Sequence, residues 1–171
     1  MEPRRDRGDA APAAGRYAID PAASTIAFAT THVFGLLPVH GSFAVGGGTV
    51  DVADPLSESR VRAEIPAASI DTGNAQRDAH VRSSRYLDTD RHPTMTFVSE
   101  RVEGDRLIGE LTAHGVTKPV TLEVEPGTVS AESFTARAKV RVDRTDFGVT
   151  AARGMTGRHL DMTIDVTCVR E

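Results

Sequence analysis

Apolar and polar residues alternate along most of the chain, in short segments separated by turn-forming residues. In the segment 25–32, Ile26, Phe28, Thr30 and His32 share one face, and the intervening residues share the other. A period of two marks a β-strand with one buried face, because successive side chains point to opposite sides of a sheet. This pattern predicts an all-β fold.

Seven further segments alternate in the same way. Their inward sets are Gly41, Phe43 and Val45; Val61, Ala63 and Ile65; Met95, Phe97 and Ser99; Leu107, Gly109, Leu111 and Ala113; Val120, Leu122 and Val124; Phe134, Ala136, Ala138, Val140 and Val142; and Leu160, Met162, Ile164, Val166 and Cys168. With the first segment, they predict about eight strands.

Turn-forming residues separate these segments. VGGGTV (45–50) predicts a bend, EGDR (103–106) a tight hairpin, HGVTKP (114–119) a wider hairpin, and EPGT (125–128) another turn. Strands joined by short turns are antiparallel, so we expect an antiparallel sheet.

One polar insert departs from the strand pattern. TGNAQRDAHVRSSRYLD (72–88) predicts a short helix near 74–86, which Asp71 or Thr72 would cap. The residues of this segment that could pack inward are Ala79, Val81, Tyr86 and Leu87.

Eight antiparallel strands can close into a barrel or split into a two-sheet sandwich. Many inward positions are small, namely Thr30, Gly41, Ala63, Ser99, Gly109, Ala113, Ala136 and Ala138. Because protein interiors are densely packed, small side chains on every wall of a barrel would leave a hollow lumen. The sequence pattern leaves a second arrangement open, in which the small residues face each other across a packed sandwich.

Length and charge restrict the class of protein. A chain of 171 residues suits one domain. We place this domain at 17–171, after a disordered tail at 1–16 that is rich in Ala, Pro, Arg and Asp. The formal net charge of -4, without a basic face, argues against nucleic acid as a partner.

Cysteine content and hydropathy bear on localisation. Cys168 is the single cysteine, so the chain can form no internal disulfide. No segment reaches the roughly 18 apolar residues of a membrane span, and the first residues lack a signal-peptide core. We therefore expect a cytoplasmic protein without stable membrane insertion.

The histidines give no metal-binding motif. His32, His40, His80, His92, His114 and His159 are scattered, without an HExxH or His-x-His pair, and we predict no metal site. His32 differs from the others because it ends an apolar inward stripe. Its ring could be satisfied by Asp146 or another wall residue, or it could donate to a ligand's head group.

VDRTDFGV (142–149) breaks the alternation, because Arg144 follows the inward parity of Val140 and Val142. Arg144 and Asp146 would form a charged rim at the mouth of a barrel, where an anionic head group could bind. There is no GxSxG motif and no phosphate-binding glycine loop, so we predict no cofactor.

Several motifs together resemble the YceI-like family of polyisoprenoid-binding proteins. They are DTGN (71–74), RDAH (77–80), HPTMTF (92–97), LTAHGVTKPV (111–120) and RTDFG (144–148), and the likeness covers about residues 17–169. The sequence also departs from the family, since Thr31 replaces the usual Arg or Lys and His92 replaces the common Tyr.

The resemblance implies an eight-stranded antiparallel lipocalin-like β-barrel around a long apolar pocket. By position, Phe28, His32, Phe97 and Phe147 would line the pocket. The insert would cover part of the barrel as a short helix, and a homodimer is compatible with the family.

Inward parity and resemblance together give the predicted ligand-binding set. It comprises Ile26, Phe28, Thr30, His32, Phe34, Phe43, Ile65, Met95, Phe97, Leu111, Val140, Arg144, Asp146, Phe147 and Met162.

Three functions are compatible with these sequence features. The leading hypothesis is non-catalytic binding of a long apolar ligand, such as a polyisoprenoid, an isoprenoid quinone precursor, a fatty acid or a fatty amide, for storage or transport. The alternative is an enzyme acting on a small or lipidic substrate, with His32 and Asp146 as acid and base. A stress-response scaffold is the third, but the outward residues are mostly Thr, Arg, Glu and Asp, and a scaffold needs an apolar outer patch.

Overall fold

A computed structural model describes residues 11–32, 37–151 and 157–171, with the side chains of 31, 32 and 37 outside the description. The described strands are β1 (Gly15–Ile19), β2 (Thr25–His32), β3 (Leu37–Ala44), β4 (Gly47–Val52), β5 (Arg60–Pro66), β6 (Thr94–Glu103), β7 (Arg106–Ala113), β8 (Val116–Val129), β9 (Ser133–Asp143) and β10 (His159–Arg170). One α-helix, α1 (Ala75–Arg82), lies between β5 and β6.

The strands close into a ring of eight positions. The order is β1-β4-β5-β6-β7-β8-β9-β10, and β10 pairs back with β1, all antiparallel. β2 continues β1 along the same edge of β10, and β3 continues β4 alongside β2. Two of the eight positions are thus each filled by a pair of strands, which confirms the predicted eight-stranded antiparallel barrel with one short helix.

Local sequence explains why two positions are broken. Between β1 and β2 the chain makes a 3-10 turn at Pro21–Ala23, capped by the side chain of Asp20, which accepts from the Ala22 N–H at 3.0 Å. Between β3 and β4 the bend falls at residues 45–46, as the VGGGTV motif predicts. The sequence pattern predicts a single strand at each of these two positions, because each break is only a few residues long.

The predicted inward faces agree with burial in the structure. Ile26, Phe28, Phe43, Val45 and Ile65 are all buried and belong to the main core cluster. A second cluster of Ala113, Val142 and Phe147 lies toward the other end of the barrel, and Met95 and Met162 pack against both clusters. The methionines therefore join the two parts of the core.

Packing is uneven around the barrel. On β2, β3 and β5, the inward residues Ile26, Phe28, Phe43 and Ile65 are buried, and Thr30, Gly41, Val61 and Ala63 are half-buried. On β8, β9 and β10, most inward residues keep part of their surface accessible, namely Val120, Val124, Ala136, Ala138, Val140, Leu160, Met162, Ile164 and Val166. Full burial is therefore more frequent on the wall formed by β2, β3 and β5, which is the more tightly packed of the two.

Small inward residues leave space at only some positions. At Gly109, an added Cβ would lie 2.8 Å from Cζ of Phe97, so an aromatic ring fills the place of the missing side chain. Ala136 and Ala138, in contrast, are only half-buried. The sequence shows which face a small residue occupies, but not which neighbour reaches over it.

Two predicted turns are wrong. The hairpin at HGVTKP is tight: Ala113 pairs with Val116, and His114 and Gly115 form the turn with φ of 53° and 73°. EPGT lies inside β8, with Pro126 opposite Ala136 and an irregular register between Pro126 and Val129. A strand tolerates proline at such an irregularity, so the motif that suggested a turn marks a bulge.

The predicted helix is present but shorter, and its cap differs. Asn74 caps α1 by accepting from the Arg77 N–H at 3.0 Å, instead of Asp71 or Thr72. Val81 and Leu87 pack against the core as expected, but Ala79 is exposed. The helix ends at Arg82, and the remainder of the segment forms turns.

The domain begins slightly before the predicted boundary. β1 starts at Gly15, two residues before position 17. The proposed disorder of the tail stays a prediction, because residues 1–10 lie outside the described part of the chain. Among the described residues, no helix has the length and apolar character needed to cross a membrane.

Candidate binding site

Strands β8 and β9 separate toward one end of the barrel. Their pairing runs from Val129 and Phe134 to Glu123 and Lys139 and then stops. Beyond that point, residues 116–122 of β8 pair with β7, and residues 140–143 of β9 pair with β10. We call the space between these two stretches the β8–β9 gap.

The gap holds a depression of about 230 Å³ with an apolar floor and a polar rim. Val120, Val140, Val142 and Phe147 form the floor. Val142 and Phe147 are buried and belong to the second core cluster, which also contacts Val140 and Met162. The depression therefore lies against the interior of the barrel on its loosely packed side.

Four charged residues form the rim: Lys118, Arg141, Asp143 and Asp146. Arg141 is held from outside the barrel, since it donates Nε and Nη2 to Asp161 at 2.8 and 3.1 Å. The hydrogen bond from Arg141 also lowers the pKa of the Asp161 carboxyl. Arg141 thus already has a carboxylate partner on the outer face of the barrel, although both side chains stay largely exposed.

Asp143 is likewise engaged within the protein. One carboxylate oxygen accepts from N–H and Oγ1 of Thr145 at 2.9 and 2.6 Å, and the other accepts from Nε of Arg158 at 2.6 Å. Burial opposes ionisation of this carboxyl, but the bonds from Thr145 and Arg158 outweigh burial and hold its pKa below the usual value. Asp143 therefore fixes the end of β9 as a charged cap.

Lys118 is the rim residue that the sequence reasoning missed. It has the same strand parity as the inward residues Val120 and Leu122, so its side chain lies on the gap side of β8. Within the described ranges, Lys118 forms no ion pair. Extending the alternation of β8 two residues toward the turn would have found it.

Arg144 has a structural task. Strand parity ends at Asp143, because Arg144–Phe147 form a 3-10 helix. The Arg144 guanidinium donates to the carbonyl oxygens of Gly157, Val149 and Ala151 at 2.9, 2.8 and 2.9 Å. Arg144 thus fastens the segment after the 3-10 helix to the end of β9. This role explains why a charged residue comes directly after the inward-facing residues Val140 and Val142.

The predicted acid and base pair remains a prediction. Asp146 is exposed on the rim of the gap. The side chain of His32 lies outside the description, as does the whole of Phe34. Thr30 is half-buried, and its Oγ1 donates to the His159 carbonyl at 2.8 Å, so it links β2 to β10.

The remaining predicted lining residues divide between the two core clusters. Ile26, Phe28, Phe43 and Ile65 belong to the tightly packed wall. Leu111, Val140 and Met162 pack around Phe147 near the gap, and Met95 contacts both clusters. Phe97 is buried beside Gly109. Of the fifteen predicted residues, Val140, Asp146 and Phe147 therefore line the depression at the gap, and Met95, Leu111 and Met162 pack against the core cluster beside it.

The polar insert 72–88 is built by internal hydrogen bonds. Buried Asp78 accepts from N–H and Oγ1 of Thr72, and Arg77 donates to the same threonine at 2.8 and 2.9 Å. Arg82 donates to the carbonyls of Ala68 and Ile70 at 2.8 and 2.9 Å. These contacts fasten α1 to the barrel.

A second depression, of about 480 Å³, lies beside the insert. Its lining includes Asp71, Asn74, Asp78 and Arg82, whose polar atoms make the bonds within the insert and its cap. It is larger than the depression at the gap, but Ile70 is its single lining residue from a core cluster, whereas the gap reaches Val142 and Phe147 of the second cluster and Val140 beside them. We therefore place the candidate site for an apolar ligand at the β8–β9 gap.

The closed antiparallel ring and the depression at its side together define the protein as a lipocalin-like barrel. The chain belongs to the YceI-like family, since the model of the YceI-like domain matches residues 17–168. It is 36% identical over 136 residues to a UPF0312 protein of Serratia proteamaculans, covering 73% of this chain and 69% of that protein. It is 34% identical over 146 residues to Protein YceI of Shigella flexneri, covering 78% and 75% respectively.

Two solved structures share the fold. BcnA of Burkholderia cenocepacia superposes with a TM-score of 0.75 at 19% identity, covering 87% of this chain and 98% of its own. A polyisoprenoid-binding domain from Saccharophagus degradans superposes with a TM-score of 0.74 at 14% identity, covering 91% and 98%. These similarities confirm the barrel architecture.

Proposed function

We propose that this protein binds one long apolar molecule non-covalently inside the barrel, with the polar end of the molecule at the β8–β9 gap. The observation that carries the proposal is the gap itself, because it joins an apolar floor of Val120, Val140 and Phe147 to the outside. Membership of the YceI-like family and the fold shared with a polyisoprenoid-binding domain of Saccharophagus degradans support an isoprenoid or another lipid as the ligand.

Apolar burial would supply the affinity. At about 25 cal/mol per Å², a chain that buries a few hundred Å² gains on the order of 5 to 10 kcal/mol before ordering costs. The depression at the gap, about 230 Å³, is smaller than typical sites for drug-sized ligands. A long ligand would therefore extend from the gap along the half-buried residues of β8, β9 and β10.

Nothing in this mode of binding requires a reaction. The Arg141 guanidinium and the Asp143 carboxylate already have charged partners within the protein. Lys118 and Asp146 are therefore the rim residues that would contact a polar head group. Such a rim orients a ligand, whereas the apolar wall selects for its length. Storage and transport both follow from reversible binding of this kind.

Extraction and mass spectrometry of the purified protein test the proposal first. We expect an isoprenoid, a fatty acid or a similar lipid in near-stoichiometric amount. The delipidated protein should then take up a fluorescent apolar probe, and saturated fatty acids should displace it more strongly as their chains lengthen. Uptake that is independent of chain length, or no uptake by folded protein, would contradict the proposal.

A variant pair tests the location. Ala138 is inward and half-buried on β9, between Val124 and Ile164, so Ala138→Leu should narrow the path of the ligand. We expect at least about tenfold weaker binding of the longest chains, as an added side chain displaces contact area. Ala27→Leu is the matched control, because Ala27 is exposed on β2. Equal effects of both substitutions would place the ligand elsewhere.

A further inference from the structure

Three metal-ligating side chains meet beside the barrel although they are distant in sequence. Asp88 and His92 lie between α1 and β6, and His114 lies in the turn between β7 and β8. One donor atom of each lies within 4.8 Å of the others. The two imidazole rings meet edge to face with centroids 5.0 Å apart. The expectation of scattered histidines is therefore wrong for this pair.

We propose that Asp88, His92 and His114 form a binding site for a divalent transition-metal ion with the ligand preferences of zinc. Two imidazole nitrogens and one carboxylate oxygen are a donor set that zinc accepts, with bonds of about 2.0 to 2.2 Å. Donors on one tetrahedral zinc ion lie about 3.4 Å apart. Side-chain rotations that bring the three donors closer by up to about 1.4 Å complete the geometry, and a fourth position stays open to water.

The hydrogen bonding of His114 prepares its ring for this role. Its Nδ1 lies 3.0 Å from the carbonyl oxygen of Phe147. Because a carbonyl only accepts, Nδ1 carries the proton, and Nε2 keeps the lone pair that a metal needs. Metal-bound histidines regularly donate their second nitrogen to a carbonyl in this way.

The backbone around the cluster holds the donors close together. Asp88 and His114 are the non-glycine residues with positive φ in the described ranges, at 49° and 53°. At Gly115, an added Cβ would lie 2.8 Å from Cε1 of His92, so glycine allows the two rings to approach. The His92 N–H also donates to the Asp88 carbonyl at 2.9 Å, which fixes the spacing within the loop.

Charge around the cluster permits a cation. The carboxylate of Asp88 is only 15% exposed, and its ion-pair partner Arg91 approaches no closer than 3.9 Å with a side chain that is 82% exposed. Arg91 can therefore turn into solvent when a metal ion binds. The bound ion would join the loop before β6 to the β7–β8 turn and, through His114, to Phe147 at the β8–β9 gap.

Calorimetric titration of zinc into untagged, chelator-treated and delipidated protein tests the site. We expect one zinc ion per chain. His92→Phe, His114→Asn and Asp88→Asn should each weaken binding by at least about a hundredfold, since loss of even an outer-shell partner costs about 10- to 100-fold. Asparagine is chosen at positions 88 and 114 because it tolerates positive φ.

His40→Asn and His80→Asn are the matched controls, because both histidines are exposed and lie outside the cluster. They should bind zinc like the unmodified protein. Equal binding by all five variants, or no binding by the folded protein, would overturn the proposal. Because the protein is lipid-free, neither result depends on whether the barrel binds lipid.

A second measurement uses the unmodified protein and therefore does not depend on whether the variants fold. Nitrogen chemical shifts of the imidazole rings can be followed in the unmodified protein as zinc is added. We expect the ring nitrogens of His92 and His114 to shift together at one equivalent. Shifts confined to other histidines, or spread evenly over all six, would contradict the assignment.

Discussion

The ring of Phe28 lies over Gly41 on the neighbouring strand, where the two residues are cross-strand partners. A Cβ added at Gly41 would lie 2.8 Å from Cε1 of Phe28 and 3.0 Å from the carbonyl oxygen of Asp71. Glycine is therefore required here because a larger side chain would collide with the Phe28 ring, and not because of the backbone conformation. Asp71, the residue before the polar insert, is hydrogen-bonded to Ser42, the next residue of β3.

Gly41→Ala should lower the free energy of unfolding by about 1 to 3 kcal/mol, because overpacking displaces the Phe28 ring. Chemical denaturation measures the change. Ala44→Val is the control, since residue 44 is exposed on the same strand, and it should be nearly neutral. Phe28→Leu should cost less in the Gly41→Ala background than alone, and strict additivity of the two substitutions would argue against the contact.

Lys118→Met should weaken binding of a fatty acid but leave the corresponding fatty alcohol unaffected, if Lys118 contacts an anionic head group as we propose. The expected loss is about two- to fivefold, because an exposed ion pair contributes no more than roughly 1 kcal/mol. Displacement of a fluorescent apolar probe measures both ligands under the same conditions.

Lys139→Met is the matched control for this prediction. Lys139 lies on β9 at the edge of the gap but does not line it, and its side chain forms an exposed ion pair with Glu125 at 3.9 Å. Its substitution removes the same charge from the protein without changing the rim. If both variants lose fatty-acid binding equally, the effect comes from net charge and not from a contact at the gap.

Asp143→Asn should lower the free energy of unfolding at neutral pH by about 1 to 2 kcal/mol, because it weakens the bonds from Thr145 and Arg158. The pKa of Asp143 is lowered in the folded protein, so its contribution is complete above the unfolded value of about 3.9 and is lost as pH falls further. Urea unfolding at several pH values should show a constant difference above about pH 5 that shrinks in acid.

Asp165→Asn is the comparison for Asp143. Asp165 is paired with Arg137 at 2.7 Å, but its side chain is 45% exposed. Exposed pairs contribute little, so this variant should change stability by less than about 0.5 kcal/mol. A larger loss from Asp165 than from Asp143 would mean that the end of β9 is not fixed by its cap.

Cys168 should react with an aromatic disulfide reagent only after unfolding. It is fully buried, and burial raises the pKa of its thiol to about 11. At pH 8 only about one thiol in a thousand is then ionised. A Cys168→Ser protein that also carries Val169→Cys should react rapidly, because residue 169 is 42% exposed. Fast labelling of native Cys168 would contradict its burial.

The sequence predicts which residues of each strand face inward, because this alternation depends only on neighbouring residues along the chain. Ile26, Phe43, Ile65 and Phe134 all lie on the predicted inward faces and are buried. Hydrophobic burial fixes this alternation, since a shift by one residue would expose a whole face to water. For the same reason the family motifs, which include much of this pattern, led to the correct fold.

Features that depend on distant neighbours could not be predicted. Gly41 and Gly109 suggested empty space, but rings from adjacent strands cover both positions. Proline and glycine at 126–127 suggested a turn, but the pairing with β9 carries the strand through them. His92 and His114 meet only because the barrel brings a loop to a turn.

The β8–β9 gap could not be predicted either, because it depends on contacts between strands. The register that ends at Glu123 and Lys139 is set by how β8 and β9 pair with their other neighbours. Alternation along each strand continues past this point without any sign of separation. Arg144, for example, follows inward parity in the sequence and yet begins a 3-10 helix.

β10 is hydrogen-bonded to β9 along one edge, and along the other to β2 and β1 in turn. During synthesis this strand leaves the ribosome after the nine others. Without β10, the strands at either side of it would keep unpaired backbone groups, and such edges invite aggregation. Insertion of this last strand is therefore the step that seals the cylinder.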